Sequence, residues 1–144
     1  MKRILLALVT AAALAALAGT ALAQDVCAPA KVTNVATAQY FASILITWTP
    51  TGDDCSTGDP STFEVRQSTS PITDTNWQSA SVLVSGASNP NGTPQCAVKI
   101  FNPCSTTTYY FAVFLFDAAG NRSPISNVPS GSARCTGTHI IPDC

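Results

Sequence analysis

The sequence predicts an all-β protein, a β-sandwich of about seven short strands. Short apolar runs recur along the chain, and clusters of Gly, Pro, Asn and Asp separate them. Several of these runs alternate apolar and polar side chains, which is typical of strands with one buried face. After residue 23 the chain is rich in Thr, Ser, Val, Asn, Gly and Pro and has no long stretch of helix formers. Together these features favour strands over helices.

The first 23 residues are predicted to be a cleavable signal peptide. Lys2 and Arg3 precede an apolar, Ala-rich stretch, and the triplet ALA at 21–23 has the small-x-small pattern of a cleavage site. A retained membrane helix is the alternative, but the small residues at the end of the stretch fit processing better than anchoring. We therefore expect a mature chain from near Gln24, secreted or periplasmic, with no membrane span after cleavage.

The rest of the chain is long enough for one domain with one core. We place this domain at 24–135 and a C-terminal tail at 136–144. Two of the seven Lys and Arg lie in the leader and all eight Asp and Glu follow it, so the mature part has a net charge of −3. Its cations are scattered, whereas phosphate binding needs a clustered basic patch. Nucleic acid is therefore not an expected partner.

The predicted strands follow from the alternation of side chains. The run SILITWT places Ile44, Ile46 and Trp48 on one face, and the run TFEVRQ turns Phe63 and Val65 inward. The predicted strands lie at 31–37, 43–49, 62–67, 81–85, 96–101, within 107–121, and at 123–133.

The run TTYYFAVFLFDAAGN at 107–121 is the longest of these, and the other strands are organised around it. Period two assigns four of its residues to the core: Tyr109, Phe111, Val113 and Leu115. Four more apolar residues lie on the opposite face: Tyr110, Ala112, Phe114 and Phe116. That face is too apolar for an ordinary wet surface, so we expect a central strand, a covered face or a binding surface.

The cysteines predict disulfide bonds. All six follow the leader, at Cys27, Cys55, Cys96, Cys104, Cys135 and Cys144. An even number of cysteines in an exported chain is typical of a disulfide framework, although spacing alone selects no pairing. A zinc site is disfavoured because the sequence has no CxxC pair and its single histidine, His139, lies in the tail.

Segments 47–80 and 102–127 resemble bacterial fibronectin type III modules. The matching features, in chain order, are the Trp48 strand, GDD at 52–54, EVRQSTSPIT at 64–73, TTYYFAV at 107–113 and DAAGNRSPISN at 117–127. The resemblance covers about 31–133 and implies an immunoglobulin-like sandwich. It also implies that Trp48 packs between the sheets and that Tyr109 is a tyrosine corner, its hydroxyl bonded back to the backbone before the strand. An immunoglobulin domain would have cysteine where this chain has Phe111, which favours the fibronectin type III form.

The resemblance also bears on the cysteines. Cys55 and Cys104 stand where the family usually has loop glycines, which suggests added covalent links. The topology of the family would bring Cys104 near Cys135, and would bring Cys55 near either Cys96 or Cys27.

No catalytic residue and no cofactor are predicted. Nucleophilic catalysis needs a base beside Ser or Cys, and His139 has no GxSxG elbow upstream of it. Glu64 is the single glutamate and most aspartates fall in turns, which disfavours paired-carboxylate chemistry. Asp53, Asp54 and Asp59 form a weak calcium candidate, but their spacing is not that of an EF-hand, and a solvated loop is the favoured interpretation.

The candidate binding patch is the outer face of the long strand, with Tyr110, Phe114 and Phe116. Exposed aromatic side chains suit protein partners or sugar rings. In the alternative interpretation, the tail at 139–141, anchored by Cys144, covers this face. We expect a non-catalytic module for protein or carbohydrate binding, or for a structural or adhesive role, at the cell envelope. The alternative is a small secreted enzyme or enzyme inhibitor that uses a loop surface.

Overall fold

The computed structural model describes residues 25–138 and 143–144. The strands are β1 (Ala36–Tyr40), β2 (Ser43–Trp48), β3 (Thr62–Ser68), β4 (Ser81–Ala87), β5 (Gln95–Ile100), β6 (Tyr109–Phe116) and β7 (Ser130–Gly131). The helical structure of the described part is a single 3-10 turn, Trp77–Ser79. It has neither the length nor the apolar character of a membrane span. The predicted signal peptide at 1–23 and tail residues 139–142 lie outside the described residues.

The strands form two antiparallel sheets, as expected for an all-β chain. The first sheet has the order β1-β2-β5 and the second has the order β4-β3-β6-β7. In the second sheet Val65 pairs with Val84 on one side and with Val113 on the other. The pairing of β3 with β4 shifts register between Val65 and Arg66. Strand β6 therefore lies inside its sheet, between β3 and β7, and both of its apolar faces must be covered.

The main core lies between the two sheets. Trp48 of β2 is 2 % exposed, and its ring centroid lies 5.2 Å from that of Phe63 on β3. Phe111 and Val113 of β6 are fully buried in the same cluster. Tyr109 packs half-buried against the edge of the cluster, 5.6 Å from the Phe101 ring. The hydroxyl-to-backbone bond of a tyrosine corner is not among the hydrogen bonds of the described residues.

The first strand begins later than its sequence pattern predicts. Val32 and Val35 are buried, which explains why 31–37 resembles a strand, yet β1 is Ala36–Tyr40. The Asn127 side chain bonds both polar groups of Val35: its Oδ1 accepts from the backbone N at 2.9 Å, and its Nδ2 donates to the carbonyl at 2.7 Å. A side chain here takes the place of a neighbouring strand, because buried backbone groups need partners of some kind.

The last strand is shorter than predicted, for the same physical reason. Regular pairing after β6 is limited to Ser130–Gly131 rather than 123–133. The Ser123 hydroxyl accepts from the Leu115 N–H at 3.0 Å, and the Ser126 hydroxyl accepts from the Val113 N–H at 2.9 Å. The two serine side chains therefore satisfy backbone donors of β6 that a longer strand would have paired.

Three disulfides link the chain: Cys27 with Cys55, Cys96 with Cys144, and Cys104 with Cys135. Of the two partners expected for Cys55, the structure selects Cys27. The bridges join the N-terminal segment to the GDD loop, strand β5 to Cys144, and the β5–β6 connection to the segment after β7. A native bridge stabilises a small domain by about 2 to 4 kcal/mol. Three such bridges fit an exported protein.

Candidate functional site

A second apolar cluster covers the outer face of the four-stranded sheet. Its buried members are Ile72, Ala80, Ala112, Phe114 and Ile125. Phe114 is fully buried, which corrects the expectation that it lies on an exposed patch. Tyr110 and Phe116 are half-buried and pack against this cluster. The described covering residues come from the β3–β4 connection and the segment after β6, and the proposed tail cover at 139–141 lies outside the described residues.

Trp77 of the 3-10 turn is the main cover of Phe114. The two ring centroids are 5.2 Å apart, in a tilted arrangement that aromatic pairs favour. The guanidinium carbon of Arg122 lies 4.2 Å from the Trp77 centroid and 4.6 Å from that of Phe114. The guanidinium of Arg66 also contacts Trp77, at 4.8 Å. Two cations thus contact one indole, an arrangement that stabilises the turn on the sheet.

Arg66 is fixed from several directions. Its Nη1 donates to three backbone carbonyls of the turn, those of Trp77 at 3.1 Å, Gln78 at 3.2 Å and Ala80 at 3.0 Å. Its Nε donates to Oε1 of Glu64 two residues earlier on the same strand face. The side chains of Arg66 and Glu64 are 15 % and 19 % exposed. The carboxylate of Glu64 is therefore held in one place at the sheet surface.

A groove of about 360 Å³ lies beside this stack. It is lined by Thr62, Phe63, Glu64, Ser85, Gly86 and Phe116, and we call it the Phe116 groove. Its lining combines two phenyl rings, a positioned carboxylate and two hydroxyls. The sequence pattern identifies Phe116 as a candidate binding residue but does not identify Glu64. The feature that could have identified Glu64 is its pairing with Arg66, a residue of opposite charge on the same strand face.

The acidic residues of the predicted calcium candidate lie near one another, but in the described part of the chain they do not form a metal site. Within residues 25–138 and 143–144, no three His, Cys, Asp or Glu side chains are placed to hold a metal ion. Burial raises the pKa of Asp53, and repulsion from Asp117, Asp54, Asp25 and Asp59 raises it further. The loop is closed by its own backbone, since the Asp54 N–H donates to the Thr57 carbonyl at 2.8 Å.

Gly52 explains why this loop is so tight. A Cβ at position 52 would lie 2.1 Å from the backbone of Ser56, so the close approach requires glycine. Asp59 also has a structural hydrogen bond, because its Oδ1 accepts from the Asn91 N–H at 2.9 Å. These contacts give the loop a structural role.

Asp117 closes the turn that follows β6. Its two carboxylate oxygens accept from the backbone N–H of Asn121 at 2.7 Å and from the side-chain amide of Asn121 at 2.6 Å. Burial acts to raise the pKa of Asp117, but these bonds and those from the Gly120 and Ala119 backbone outweigh burial and lower it. Asp117 is therefore a structural carboxylate, held ionised by its turn.

Comparison with known proteins bears on the fold alone. No protein-family model matches the chain, and no curated protein matches it. Among solved structures, the chain is similar to the crystal structure of a beta-1,2-glucanase from Parabacteroides distasonis, with a TM-score of 0.51 and 19 % identity. The match covers 74 % of this chain and 12 % of the glucanase chain, so it concerns a small part of that larger protein.

Proposed function

We propose that this chain is a secreted, non-catalytic, fibronectin type III-like sandwich that binds a protein or carbohydrate partner at the cell envelope. Two antiparallel sheets around a shared core support the sandwich. The resemblance of segments 47–80 and 102–127 supports the family. Three disulfides support export.

The Phe116 groove carries the binding proposal. Glu64 is positioned before any ligand arrives, because Arg66 is itself anchored on three carbonyls. A side chain that is already ordered loses little entropy on binding, so its hydrogen bond contributes more to affinity. A groove formed by strands β3, β4 and β6 is also more rigid than a loop surface.

The chemistry of the groove favours neutral hydrogen-bond donors beside an apolar surface. The charge of Glu64 is already paired with Arg66, so a second cation gains less from this carboxylate than a hydroxyl or amide donor does. Phe116 offers a ring, and Thr62 and Ser85 offer hydroxyls. A sugar, with its apolar C–H face and hydroxyl edge, has the matching chemistry, as does a polar protein segment.

The number of carboxylates in the groove, and the structural roles of the other buried polar groups, favour binding over catalysis. The groove is lined by one carboxylate, whereas glycoside hydrolysis commonly uses two across a cleft. Of the buried polar side chains, Ser123 and Ser126 accept from β6 backbone donors, and Asp117 closes a turn. These groups stabilise the fold and do not line the groove.

The experiment is a binding screen of the mature protein against immobilised polysaccharides and envelope proteins, followed by titration of the best ligand. We expect Phe116→Ala and Glu64→Gln each to weaken binding about tenfold or more, as for central contacts of an interface. Ile100→Ala is the matched control, because Ile100 is 57 % exposed on the other sheet. Equal binding by all three variants would place the site elsewhere, and absence of any ligand would refute the function.

A further inference from the structure

Sheet edges expose unpaired N–H and C=O groups, and most proteins protect them with short strands, charges or covering segments. Strand β7 has only two residues, Ser130–Gly131, so its edge is short. The edge of β1 is covered by β7 and by the chain that follows it. The Thr37 hydroxyl donates to the Ser130 carbonyl of β7 at 3.1 Å, and the Arg134 N–H, after β7, donates to the Tyr40 carbonyl at 2.9 Å.

The edge of β5 is protected in a different way. Lys99 lies in this strand, with its Nζ 4.3 Å from the centroid of the Tyr109 ring, and a charged residue on an edge opposes pairing. The disulfide from Cys96 also holds Cys144 against this strand.

Strand β4 is neither short nor charged, and among the described residues its one side-chain cover is at its end, where the Ala87 carbonyl accepts from the Gln95 side chain at 3.1 Å. It runs over seven residues, Ser81–Ala87, and all of them except Leu83 are exposed. Val82 is 46 % exposed and Val84 is 37 % exposed. No further strand lies beside β4 in the part of the chain that the structure describes. The sequence has no charged residue between Asp74 and Lys99, so the strand and both of its flanks are neutral.

We propose that β4 pairs antiparallel with β4 of a second copy of this chain. A two-fold axis places each residue opposite the same or a nearby residue, so any charge on the strand would face its like and repel it. β4 carries no charge, so pairing places no charged side chain of this strand opposite its like, and the net charge of −3 on each mature chain adds a repulsion that salt screens. Pairing also satisfies the remaining outward-facing backbone groups of the edge.

The pair is a weak dimer. One strand from each copy buries much less than the roughly 1,200 to 2,000 Å² of a standard stable interface, so we expect the dimer to form only at high protein concentration. The two four-stranded sheets then form one continuous sheet across the axis.

The axis is perpendicular to this joined sheet, so the outer faces of both copies lie on the same side. Ser85 and Gly86 of β4 line the Phe116 groove, which places the two grooves close to the dimer axis. A repeating ligand would engage both grooves at once and bind more tightly than a single unit does. Dimerisation itself does not depend on this ligand.

The test is sedimentation equilibrium of the mature protein from about 5 µM to about 1 mM, a range wide enough to detect weak association. We expect the average mass to rise towards twice that of the monomer. Val84→Lys and Val84→Glu should each stay monomeric, because like charges would face each other across the axis. An equimolar mixture of the two variants should dimerise again. Ile100→Lys, an exposed aliphatic residue changed in the same way on β5, is the control and should dimerise as the original chain does.

Circular dichroism and thermal unfolding identify variants that fail to fold. If the Val84 variants are unfolded, Val82→Lys and Val82→Glu replace them, because Val82 is still more exposed. A monomer mass over the whole concentration range would overturn the proposal. It would also be overturned if Ile100→Lys dissociated the pair as fully as Val84→Lys, or if mixing folded, opposite-charge variants failed to restore the dimer.

Discussion

Both faces of β6 are buried, but different structures cover them. The inner face, with Phe111, packs against the opposite sheet across the main core. The outer face, with Phe114, is covered by a 3-10 turn, a neighbouring segment and two guanidinium groups. A strand that is apolar on both faces thus need not lie between two sheets. Connections can provide the second cover when an aromatic residue and cations hold them in place.

The largest expected effects compare these two covers directly. Phe111→Ala should lower the free energy of unfolding by about 3 to 5 kcal/mol, since neighbouring strands cannot close the cavity. Phe114→Ala should cost about 2 to 3 kcal/mol, because the covering connections can relax into the space. Urea denaturation measures both, and Ile100→Ala is the control, with an expected change below about 0.5 kcal/mol. An equal or larger loss at Phe114 would show that the outer cover is as rigid as the core.

The next largest effect concerns Trp77, which covers the outer face of β6. Trp77→Ala removes the ring over Phe114 and the surface that Arg66 and Arg122 contact, so we expect a loss of about 2 kcal/mol. Trp77→Phe keeps an aromatic ring and should recover part of that stability. Urea denaturation is again the measurement. A Trp77→Ala protein as stable as the original chain would mean that the turn contributes nothing to the burial of Phe114.

The third effect concerns Asp117, the charged residue of the turn that directly follows β6. Asp117→Asn should lower stability at pH 7 by about 1 to 2 kcal/mol, because hydrogen bonds to a charged acceptor are lost. The folded pKa of Asp117 is depressed, so its contribution is present above the unfolded pKa, about 3.9, and is lost as the pH falls through the folded pKa. Urea denaturation between pH 7 and pH 2 should show the two proteins converging. A constant difference over this range would contradict the assignment.

The smallest expected effect is an increase in stability, at Asp53. The pKa of Asp53 is raised in the folded state, so ionised Asp53 destabilises the fold at neutral pH, and protonation on acidification relieves this. Asp53→Asn should therefore raise the thermal midpoint slightly at pH 7, and the advantage should disappear as the pH is lowered towards 4, near the ordinary pKa of Asp. Asp74→Asn, at an exposed aspartate that is not among the charges acting on Asp53, is the control. A lower midpoint for Asp53→Asn at pH 7 would contradict the assignment.

The alternating patterns around Trp48 and in the run 107–121 predict the main features of the fold, because alternation reports which side chains are buried. They do not predict strand ends. Val35 has the apolar character of a strand residue, but its backbone bonds the side chain of Asn127, 92 positions away. Ser123 likewise replaces a strand partner with its hydroxyl. Such bonds depend on tertiary approach, which local patterns do not contain.

The candidate site is predicted in part. Phe116 follows from its position on the outer face of the long strand. The burial of Phe114 does not follow, because its cover, Trp77, comes from a polar connection with no periodic pattern of its own. Glu64 and Arg66 are predicted to face outward together. Their place in a groove depends on the turn carbonyls that fix Arg66, and only the folded chain brings these carbonyls to it.

The serine hydroxyls that bond β6 have a consequence for hydrogen exchange. The amides of Val113 and Leu115 are protected by Ser126 and Ser123, whereas the amide of Phe111 bonds the Pro129 carbonyl. Exchange at the first two amides therefore reports how often the serine segment lifts from the sheet, without any strand having to separate. A partner that docks on this segment would slow exchange at those two positions first.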